Sequence, residues 1–319
     1  ALNALMTQDP YERSVLSIFR NLLATAGTLT INTFTLPLVE YFGNNAAAWT
    51  KTFVVFGFVA IAAFLCTFFG TKERVRAVEN EGEVQTEDVP FVTGIKALFK
   101  NKYWIMMTGM LALFFLMYSV NGGATVYYAK DILGDKNLVS TINGIFNIVQ
   151  ICGMFFIAML VKKFGKRKMM IAGSITVIVT SALMGLFTSV LPMVAVLYAI
   201  KGFMMGAMFS CAFALTGDVV DYGEWKFGVR SEGLVMSGVS IGQKIGLGFG
   251  PAIAGWILAI GGYDGMAKTQ TASAIASINF AYTYLAAIIG VVMLLVCLAF
   301  NIDKYTAKMQ EDLTKKHEA

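Results

Sequence analysis

Three basic residues lie inside long apolar segments, where a charge needs water or a partner: Arg20, Lys201 and Lys244. A lysine at the centre of a helix in lipid costs about 2.5–3.5 kcal/mol on insertion scales, so it usually faces a cavity or an opposite charge. Lys244 lies eleven residues after Gly233, so we expect it to face a central cavity and a carboxylate rather than reach an interface. No acid lies deep in any apolar segment of this sequence, so its partner is expected outside this chain, or it faces water.

The other two basic residues each leave two interpretations open. Arg20 is seven residues into its apolar segment, so it either faces the cavity or extends its charged end to the membrane interface. Lys201 either lines the cavity or reaches outward.

The segment that carries Lys244 has two different faces. Glycine recurs every fourth residue, at Gly238, Gly242, Gly246 and Gly250, which predicts a ridge of small residues where a neighbouring helix can approach closely. Ser237, Ser240 and Lys244 follow the i, i+3, i+7 spacing of a different face. We therefore expect a helix that packs on one face, presents polar groups on the other and can rock against its neighbour.

Amides and hydroxyls recur at helical spacing in other apolar segments. Lipid offers such groups no partners, so they are expected to face the bundle centre. There they would serve either as interhelical contacts or as a site for sugar hydroxyls, which need both donors and acceptors. The positions are Asn21, Thr25, Thr28, Asn32 and Thr35 in the first segment, Asn121 and Tyr128 in the third, and Asn143, Asn147 and Gln150 in the fourth.

The composition indicates that these segments cross a bilayer. Of 319 residues 57% are apolar and only 14% are charged, whereas soluble domains carry about a quarter charged residues. Eight segments reach the roughly 20 residues that a spanning helix needs, and none shows the alternation of a barrel strand. They are Ser14–Tyr41, Ala47–Gly70, Tyr103–Tyr128, Ser140–Val161, Met169–Val190, Leu191–Gly217, Gly233–Gly261 and Ile275–Asn301. The predicted fold class is an all-α membrane protein.

The basic residues are sorted between alternate connections. Eighteen Lys and Arg residues fall on one side of the predicted spans and four on the other, which places both ends of the chain in the cytoplasm. This sorting does not indicate nucleic-acid binding. The four cysteines lie inside spans without metal-ligand spacing, and the one histidine, His317, lies in the tail. We therefore predict no catalytic residue and no metal site, and an intramembrane enzyme is disfavoured.

The spans divide around one long connection, residues 71–102. Its second part places Phe91, Ile95, Leu98 and Phe99 on one face, which predicts a helix on the anionic membrane surface, although a solvated linker is the alternative. Two spans precede the connection and six follow it, which is the plan of major facilitator transporters if four helices come first. The predicted divisions are 1–70 (end of an N-terminal bundle), 71–102 (central loop), 103–302 (C-terminal bundle) and 303–319 (tail).

Charged groups cluster at the predicted cytoplasmic ends. "DPYE" (Asp9–Glu12) precedes the first span and "DYGE" (Asp221–Glu224) the seventh, an echo expected of repeated halves. The basic turn "VKKFGKRK" either sets topology or pairs with Asp218, Asp221 and Glu224. The predicted cytoplasmic gate comprises Asp9, Glu12, Lys163, Arg167, Asp218, Asp221, Glu224 and Arg230.

Three stretches together carry a family likeness. "TQDPYERSVLSIFR", "GDVVDYGEWKFGVRSEGL" and "SGVSIGQKIGLGFGPAIAGWIL" resemble the glycoside–pentoside–hexuronide:cation symporters, the family of the melibiose permease. The resemblance implies a twelve-helix bacterial inner-membrane protein that moves a sugar with Na⁺ or H⁺ by alternating access. It implies that Arg20 contacts sugar, that Lys244 lies near the cation-site carboxylates, and that Phe209 and Ser240 lie beside the sugar. The resemblance places those carboxylates on helices 2 and 4 of the family and a further sugar-binding acid on helix 1, all of which are expected before this sequence.

The sequence thus predicts a sugar:cation symporter. The expected ligands are a small sugar and one monovalent cation, with no other cofactor, no nucleic acid and no obligate protein partner. The alternative is a membrane scaffold or a transport-inactive fragment, because the four helices expected first are not in this sequence. The sequence does not choose between Na⁺ and H⁺, nor among the sugars.

Overall fold

The structure is a computed structural model and describes residues 10–70, 96, 98–188, 190–228, 232–267 and 269–318. Within these ranges, the side chains of residues 10–22, 25, 157, 158, 162, 232, 307, 310 and 313–318 lie outside the described part. The described residues form helices and connecting turns, with no strand. The chain divides into two compact units, Ala1–Glu87 and Asp88–Ala319.

The first unit is a pair of helices, α1 (Pro10–Tyr41) and α2 (Ala46–Gly70), that pack against each other. The tight turn between them needs left-handed backbone, with φ of 105° at Gly43 and 51° at Asn44, residue types that adopt it readily. Asn45 then caps α2 by accepting a hydrogen bond of 2.9 Å from the Ala48 backbone N–H.

The second unit is a helical bundle. Its helices are α3 (Lys102–Tyr127), α4 (Leu138–Phe164), α5 (Lys166–Leu186), α6 (Leu191–Phe227), α7 (Glu232–Ile260), α8 (Ala272–Asn279), α9 (Leu285–Ala299) and α10 (Asp303–Glu318). Two π-helical turns interrupt this pattern, Tyr128–Ile132 after α3 and Phe280–Tyr284 between α8 and α9. Such turns are rare and often lie near functional sites.

Helix α3 lies centrally in the bundle. It packs along α7 and also contacts α6 and α9, while α6 packs between α4 and α5. Asn101 fixes its start, because the Asn101 Oδ1 accepts hydrogen bonds from the backbone N–H groups of Tyr103 and Trp104 at 3.1 and 3.3 Å. Helices α6, α7 and α9 are therefore arranged around α3.

Seven helical stretches of the described residues are long and apolar enough to cross a membrane, which confirms the predicted helical membrane bundle. They are α2, α3 with its π-turn, α4 up to Phe156, α5, α6, α7 from Gly233, and the continuous stretch Ala272–Thr306. The remaining predicted span, Ser14–Tyr41, falls in α1, where several side chains lie outside the described part, so it stays a prediction.

One predicted boundary is wrong. The segment after Gly217 was expected to be a loop, but α6 continues to Phe227, and only Gly228, with a φ of 69°, ends it. Charged residues after an apolar segment usually indicate a connection, whereas a left-handed glycine is the signal that ends a helix. The acids from Asp218 to Glu224 therefore lie on the last turns of α6.

The predicted surface helix falls largely outside the described residues. Phe91 and Ile95 are among the residues left undescribed. Leu98 is buried, while Phe99 is exposed and its ring contacts that of Trp104 edge to face at 5.5 Å.

Candidate functional site

The glycine ridge of α7 packs directly on α3, as predicted. A Cβ added at Gly242 would lie 2.7 Å from the Thr108 carbonyl oxygen, and one at Gly246 would lie 2.6 Å from the Ala112 carbonyl oxygen. Real side chains do not come so close, so only glycine allows this helix spacing. The backbone of α7 is therefore held against α3 along several turns.

The opposite face of α7 is exposed on the second unit. Ser240 and Lys244 are both exposed, together with Gln243 between them. Ser237, one turn earlier, is half-buried and its hydroxyl donates to the Leu234 carbonyl at 2.6 Å. No acidic side chain of the described residues pairs with Lys244. The ammonium is thus presented at the middle of a spanning helix, on the face that does not pack on α3.

Phe209 belongs to an aromatic cluster between α3 and α6. Its ring centroid lies 5.7 Å from that of Phe114, 6.2 Å from that of Phe115 and 4.8 Å from that of Phe213. Phe115 is also the residue whose Cβ faces Gly246 of α7. The half-buried ring of Phe209 therefore lies close to the glycine ridge, and its place beside a sugar stays a prediction of the resemblance.

The polar residues of α4 lie along its contact with α6. Asn147 and Gln150 are buried, with 2% and 4% of their surface exposed, and Asn143 is half-buried. Added Cβ atoms at Gly202 and Gly206 of α6 would meet the backbone carbonyls of Phe146 and Gln150 respectively. This placement fits either interpretation, interhelical contact or sugar contact.

Asn121 and Lys201 meet inside the bundle. The Lys201 side chain has no exposed surface, and its Nζ donates a hydrogen bond of 2.7 Å to Asn121 Oδ1. Asn121 Nδ2 donates in turn to the Met117 carbonyl at 3.0 Å. Of the two interpretations left open for Lys201, neither applies as stated, because the ammonium points into the packed core between α6 and α3.

The predicted sugar contacts of the first unit are described only in part. The side chains of Arg20 and Asn21 lie outside the described part of α1. Thr28 is half-buried and its hydroxyl donates to the Ala24 carbonyl of its own helix at 3.0 Å. Asn32 is half-buried and takes part in a polar contact. These residues remain predicted sugar contacts.

An ion pair joins α5 and α6 at their predicted cytoplasmic ends. Lys166 Nζ lies 2.7 and 2.8 Å from the two carboxylate oxygens of Asp218, and it also donates to the Ala214 carbonyl at 3.2 Å. Lys166 lies in the predicted basic turn but was not among the predicted gate residues. The basic turn alone does not single it out, because the backbone at Gly165, with a φ of 82°, decides which of these side chains faces Asp218.

The predicted gate residues are divided among several contacts. Arg167 donates to the carbonyls of Cys297 and Leu298 at the end of α9, at 3.2 and 2.6 Å. Lys163 is exposed, with its Nζ 5.3 Å from the centroid of the Phe164 ring. Asp221 and Glu224 each take part in a polar contact, and Glu224 is buried. Asp9, Arg230 and the side chain of Glu12 lie outside the described residues.

The tail helix α10 packs against the end of α6. The Trp225 indole N–H donates to Asp312 Oδ2 at 2.8 Å, and the Trp225 and Tyr305 ring centroids are 5.9 Å apart. Tyr305 also contacts Tyr222, whose ring lies 4.7 Å from that of Tyr103. An aromatic cluster thus joins the ends of α3, α6 and α10.

The described residues hold no group of three or more His, Cys, Asp and Glu side chains that could bind a metal ion. The four cysteines are free thiols.

This arrangement, a bundle of helices long and apolar enough to span a membrane, is that of a polytopic membrane protein. The chain belongs to the MFS/sugar transport protein family, whose model matches residues 1–304.

Several curated proteins are similar along most of the chain. The isoprimeverose transporter of Lactiplantibacillus pentosus is 32% identical over 98% of this chain and 65% of its own length. The inner membrane symporter YicJ of Escherichia coli (strain K12) is 29% identical over 90% of this chain and 62% of its own length. The putative glycoside/cation symporter YagG of the same strain is 28% identical over 88% and 61%. The chain thus spans less than two thirds of the length of these relatives.

Proposed function

We propose that the protein to which this chain belongs is a sugar:cation symporter that works by alternating access. The observation that carries the proposal is the face of α7 with Ser240 and Lys244, which is exposed at mid-helix while the opposite glycine face is packed on α3. A charge at membrane depth is expensive and marks a substrate or ion pathway. Membership of a sugar transport family and the symporter names of two relatives support the same activity.

Sugar binding is proposed for the polar and aromatic side chains that the sequence analysis names. Arg20, Asn21, Thr28 and Asn32 of α1 are proposed as contacts, with Asn143, Asn147, Gln150 and Ser240 in the second unit. Phe209 is proposed to stack on a sugar ring, because apolar faces of sugars pack well on aromatic rings. Asn121 was predicted as a further contact, but its amide is buried and bonded to Lys201, which leaves it to support the site rather than to touch sugar.

Lys244 is proposed to couple sugar to cation. Its ammonium would face carboxylates of the cation site, which the resemblance places on helices outside this chain. A carboxylate that binds Na⁺ or H⁺ gives up its contact with the lysine. Occupancy of the cation site therefore changes the charge next to the bound sugar. The coupling ion is Na⁺ or H⁺, and no other cofactor is proposed.

The ion pair between Lys166 and Asp218 is proposed to form part of the cytoplasmic gate. It holds the ends of α5 and α6 together, and both side chains are partly exposed, at 29% and 20%. A partly exposed pair can open at a modest cost, because water replaces its hydrogen bonds. We further propose that the protein lies in a bacterial cytoplasmic membrane with both ends of this chain in the cytoplasm, without an obligate protein partner.

Uptake by cells tests the proposed activity. The complete gene product is expressed in a host without related transporters and given labelled isoprimeverose, a methyl xyloside or a methyl glucuronide, with and without Na⁺ and at two values of external pH. One probe is expected to accumulate several-fold above the empty-vector control, in response to Na⁺ or to acid. Correct insertion without accumulation of any probe would favour the alternative of a transport-inactive membrane scaffold.

A further inference from the structure

Lys201 is a buried charge without an acidic partner among the described residues. It lies in the first third of α6, has no exposed surface, and its only hydrogen bond in the described part of the chain is the one to Asn121 Oδ1. Burying an ammonium costs more than one neutral acceptor and the Tyr198 ring, whose centroid lies 5.9 Å from Nζ, return. An apolar side chain of similar volume would fill the same space at lower cost, so stability alone does not explain the lysine.

The Asn121 side-chain amide, which accepts the hydrogen bond from Lys201, is itself held in one orientation. Asn121 Nδ2 donates to the Met117 carbonyl at 3.0 Å, and the Asn121 carbonyl accepts from the Thr125 hydroxyl at 2.6 Å. The oxygen of the amide side chain is therefore aimed at α6, and its nitrogen is used within α3. Lys201 thus acts on α3 through a side chain that has one orientation.

A ring contact strengthens this junction. Tyr198, one turn before Lys201, lies 5.8 Å from Tyr282 in the second π-turn, and Tyr282 stacks on Tyr128 at 4.1 Å. Tyr128 begins the π-turn that follows α3, and its hydroxyl donates to the Thr188 carbonyl at 2.7 Å. The same part of α6 is therefore joined to the end of α3 through rings as well as through the lysine.

Two further contacts between α3 and α6 lack a short charge-assisted hydrogen bond. The ring contact of Phe114 with Phe209, with centroids 5.7 Å apart, is apolar and has no donor and acceptor pair. Nearer the predicted cytoplasmic ends, Asn101 Nδ2 donates to the Val219 carbonyl at 3.3 Å, at the long end of the range for a hydrogen bond. A charge-assisted bond of 2.7 Å is both shorter and stronger, and a shift of about one ångström breaks it.

We propose that Lys201 is a positioning residue that locks the register of α6 on α3 through Asn121, so that the two helices move as one element during transport. The proposal rests on the proposed transport function, but it assigns Lys201 neither to the sugar nor to the cation. Its loss should therefore slow the transport cycle and leave sugar affinity unchanged.

The test uses the complete gene product and the probe that gives the highest uptake among isoprimeverose, the methyl xyloside and the methyl glucuronide. The variants are Lys201→Met, Asn121→Leu and the double variant, which removes both polar groups and keeps apolar volume. Asn279→Leu is the matched control, because Asn279 Nδ2 donates to the Gly185 carbonyl at 3.3 Å and joins α8 to α5 without involving α3 or α6. The measurements are the Kd of the probe for purified protein, the maximal uptake rate per inserted molecule, and the thermal unfolding midpoint in detergent.

The double variant is expected to unfold at or above the wild-type midpoint and to keep its Kd within about two-fold, since the buried charge and its acceptor leave together. Its maximal uptake rate is expected to fall about ten-fold. This factor corresponds to the lower end of the range of free energies for one hydrogen bond to a charged group. Asn279→Leu is expected to lower the midpoint and keep the uptake rate within about two-fold.

Three results would overturn the proposal. A wild-type uptake rate in the double variant would mean that the pair only fills space. A weaker Kd with an unchanged rate would mean that Asn121 or Lys201 contacts sugar. A much lower midpoint in the double variant would mean that the pair serves stability. Uptake of no probe by the wild-type protein is a different failure, because it removes the proposed function itself, although the unfolding midpoints still report on the pair.

Discussion

A methyl group added to the glycine ridge should separate α7 from α3. In the variant Gly246→Ala, the new Cβ would lie 2.5 Å from the Leu116 backbone nitrogen and 2.6 Å from both the Ala112 carbonyl oxygen and the Phe115 Cβ. Ordinary contacts begin at 3.4 Å, so the two backbones must separate by about 0.8 Å at this point. Backbone atoms of a packed helix cannot rotate away as a side chain can.

The same helix offers a matched control. Gly248 is two residues further along α7, and an added Cβ there meets nothing within 4 Å. Both substitutions stabilise the helix by about 1 kcal/mol, because alanine has a higher helix propensity than glycine. Only Gly246→Ala also carries the cost of overpacking, about 1–3 kcal/mol. The difference between the two variants therefore isolates the contact with α3.

The assay is thermal unfolding of both purified variants of the complete gene product, followed by uptake of the same labelled sugar. At about 2–4 °C per kcal/mol, Gly246→Ala should unfold about 2–12 °C below Gly248→Ala. A shift of about 0.8 Å also displaces Ser240 and Lys244, and misplacements near 1 Å can cost up to about a hundred-fold in rate. We expect uptake by Gly246→Ala to fall at least ten-fold, whereas Gly248→Ala stays near wild type. Equal unfolding midpoints and equal uptake would refute the inference that glycine is required for this packing.

Three further predictions concern the ends of the helices and α1. Lys166→Met should lower the unfolding midpoint by the equivalent of about 1.5–3 kcal/mol, because the Asp218 carboxylate keeps 20% exposure but loses its cation. Adding the substitution Asp218→Leu should restore most of the lost stability, because no unpaired charge then remains. A double variant no more stable than Lys166→Met would contradict this account of the pair. Trp225→Phe removes the bond to Asp312 and should speed proteolysis of the tail about two- to ten-fold, while the rest of the bundle stays intact; an unchanged cleavage rate would show that ring packing alone holds α10. Arg20→Ala should weaken sugar affinity about ten-fold or more, and an unchanged Kd would mean that this arginine only extends to the interface.

Much of the fold follows from the pattern of apolar residues. Length and composition predict spanning helices, because only closed hydrogen bonding is stable in lipid. The four-residue spacing of glycine predicts the packed face of α7, since one face of a helix repeats at that interval. The exposed face of Ser240 and Lys244 follows from the same geometry. These features are local, so a single sequence is enough to predict them.

The contacts of Lys201 could not be predicted in this way. Its partner Asn121 is 80 positions away, and only the packing of α6 on α3 brings the two together. The choice of Lys166, rather than Lys163 or Arg167, as the partner of Asp218 likewise depends on the turn at Gly165. The two π-turns leave no clear pattern in the sequence, because a π-turn differs from an α-helix by only one residue in its hydrogen-bond spacing.

The continuation of α6 to Phe227 shows how charge can mislead. The acidic residues after Gly217 are typical of a loop sequence, yet they lie on helical turns that extend beyond the predicted span. The placement matters for function, because a helix holds Asp218 at a fixed height opposite Lys166. In a flexible loop, Asp218 would have no fixed position relative to Lys166.

Cation-driven accumulation in proteoliposomes tests the central claim most directly. The complete gene product and its Lys244→Ala variant are reconstituted at equal protein content, and a labelled sugar from the uptake panel is added with an imposed Na⁺ or pH gradient. The wild-type protein is predicted to concentrate the sugar inside, and Lys244→Ala is predicted to insert normally but to leave the sugar at its external concentration. Gradient-driven accumulation by Lys244→Ala equal to that of the wild type would contradict the coupling role of Lys244, and accumulation by neither protein under either gradient would contradict symport.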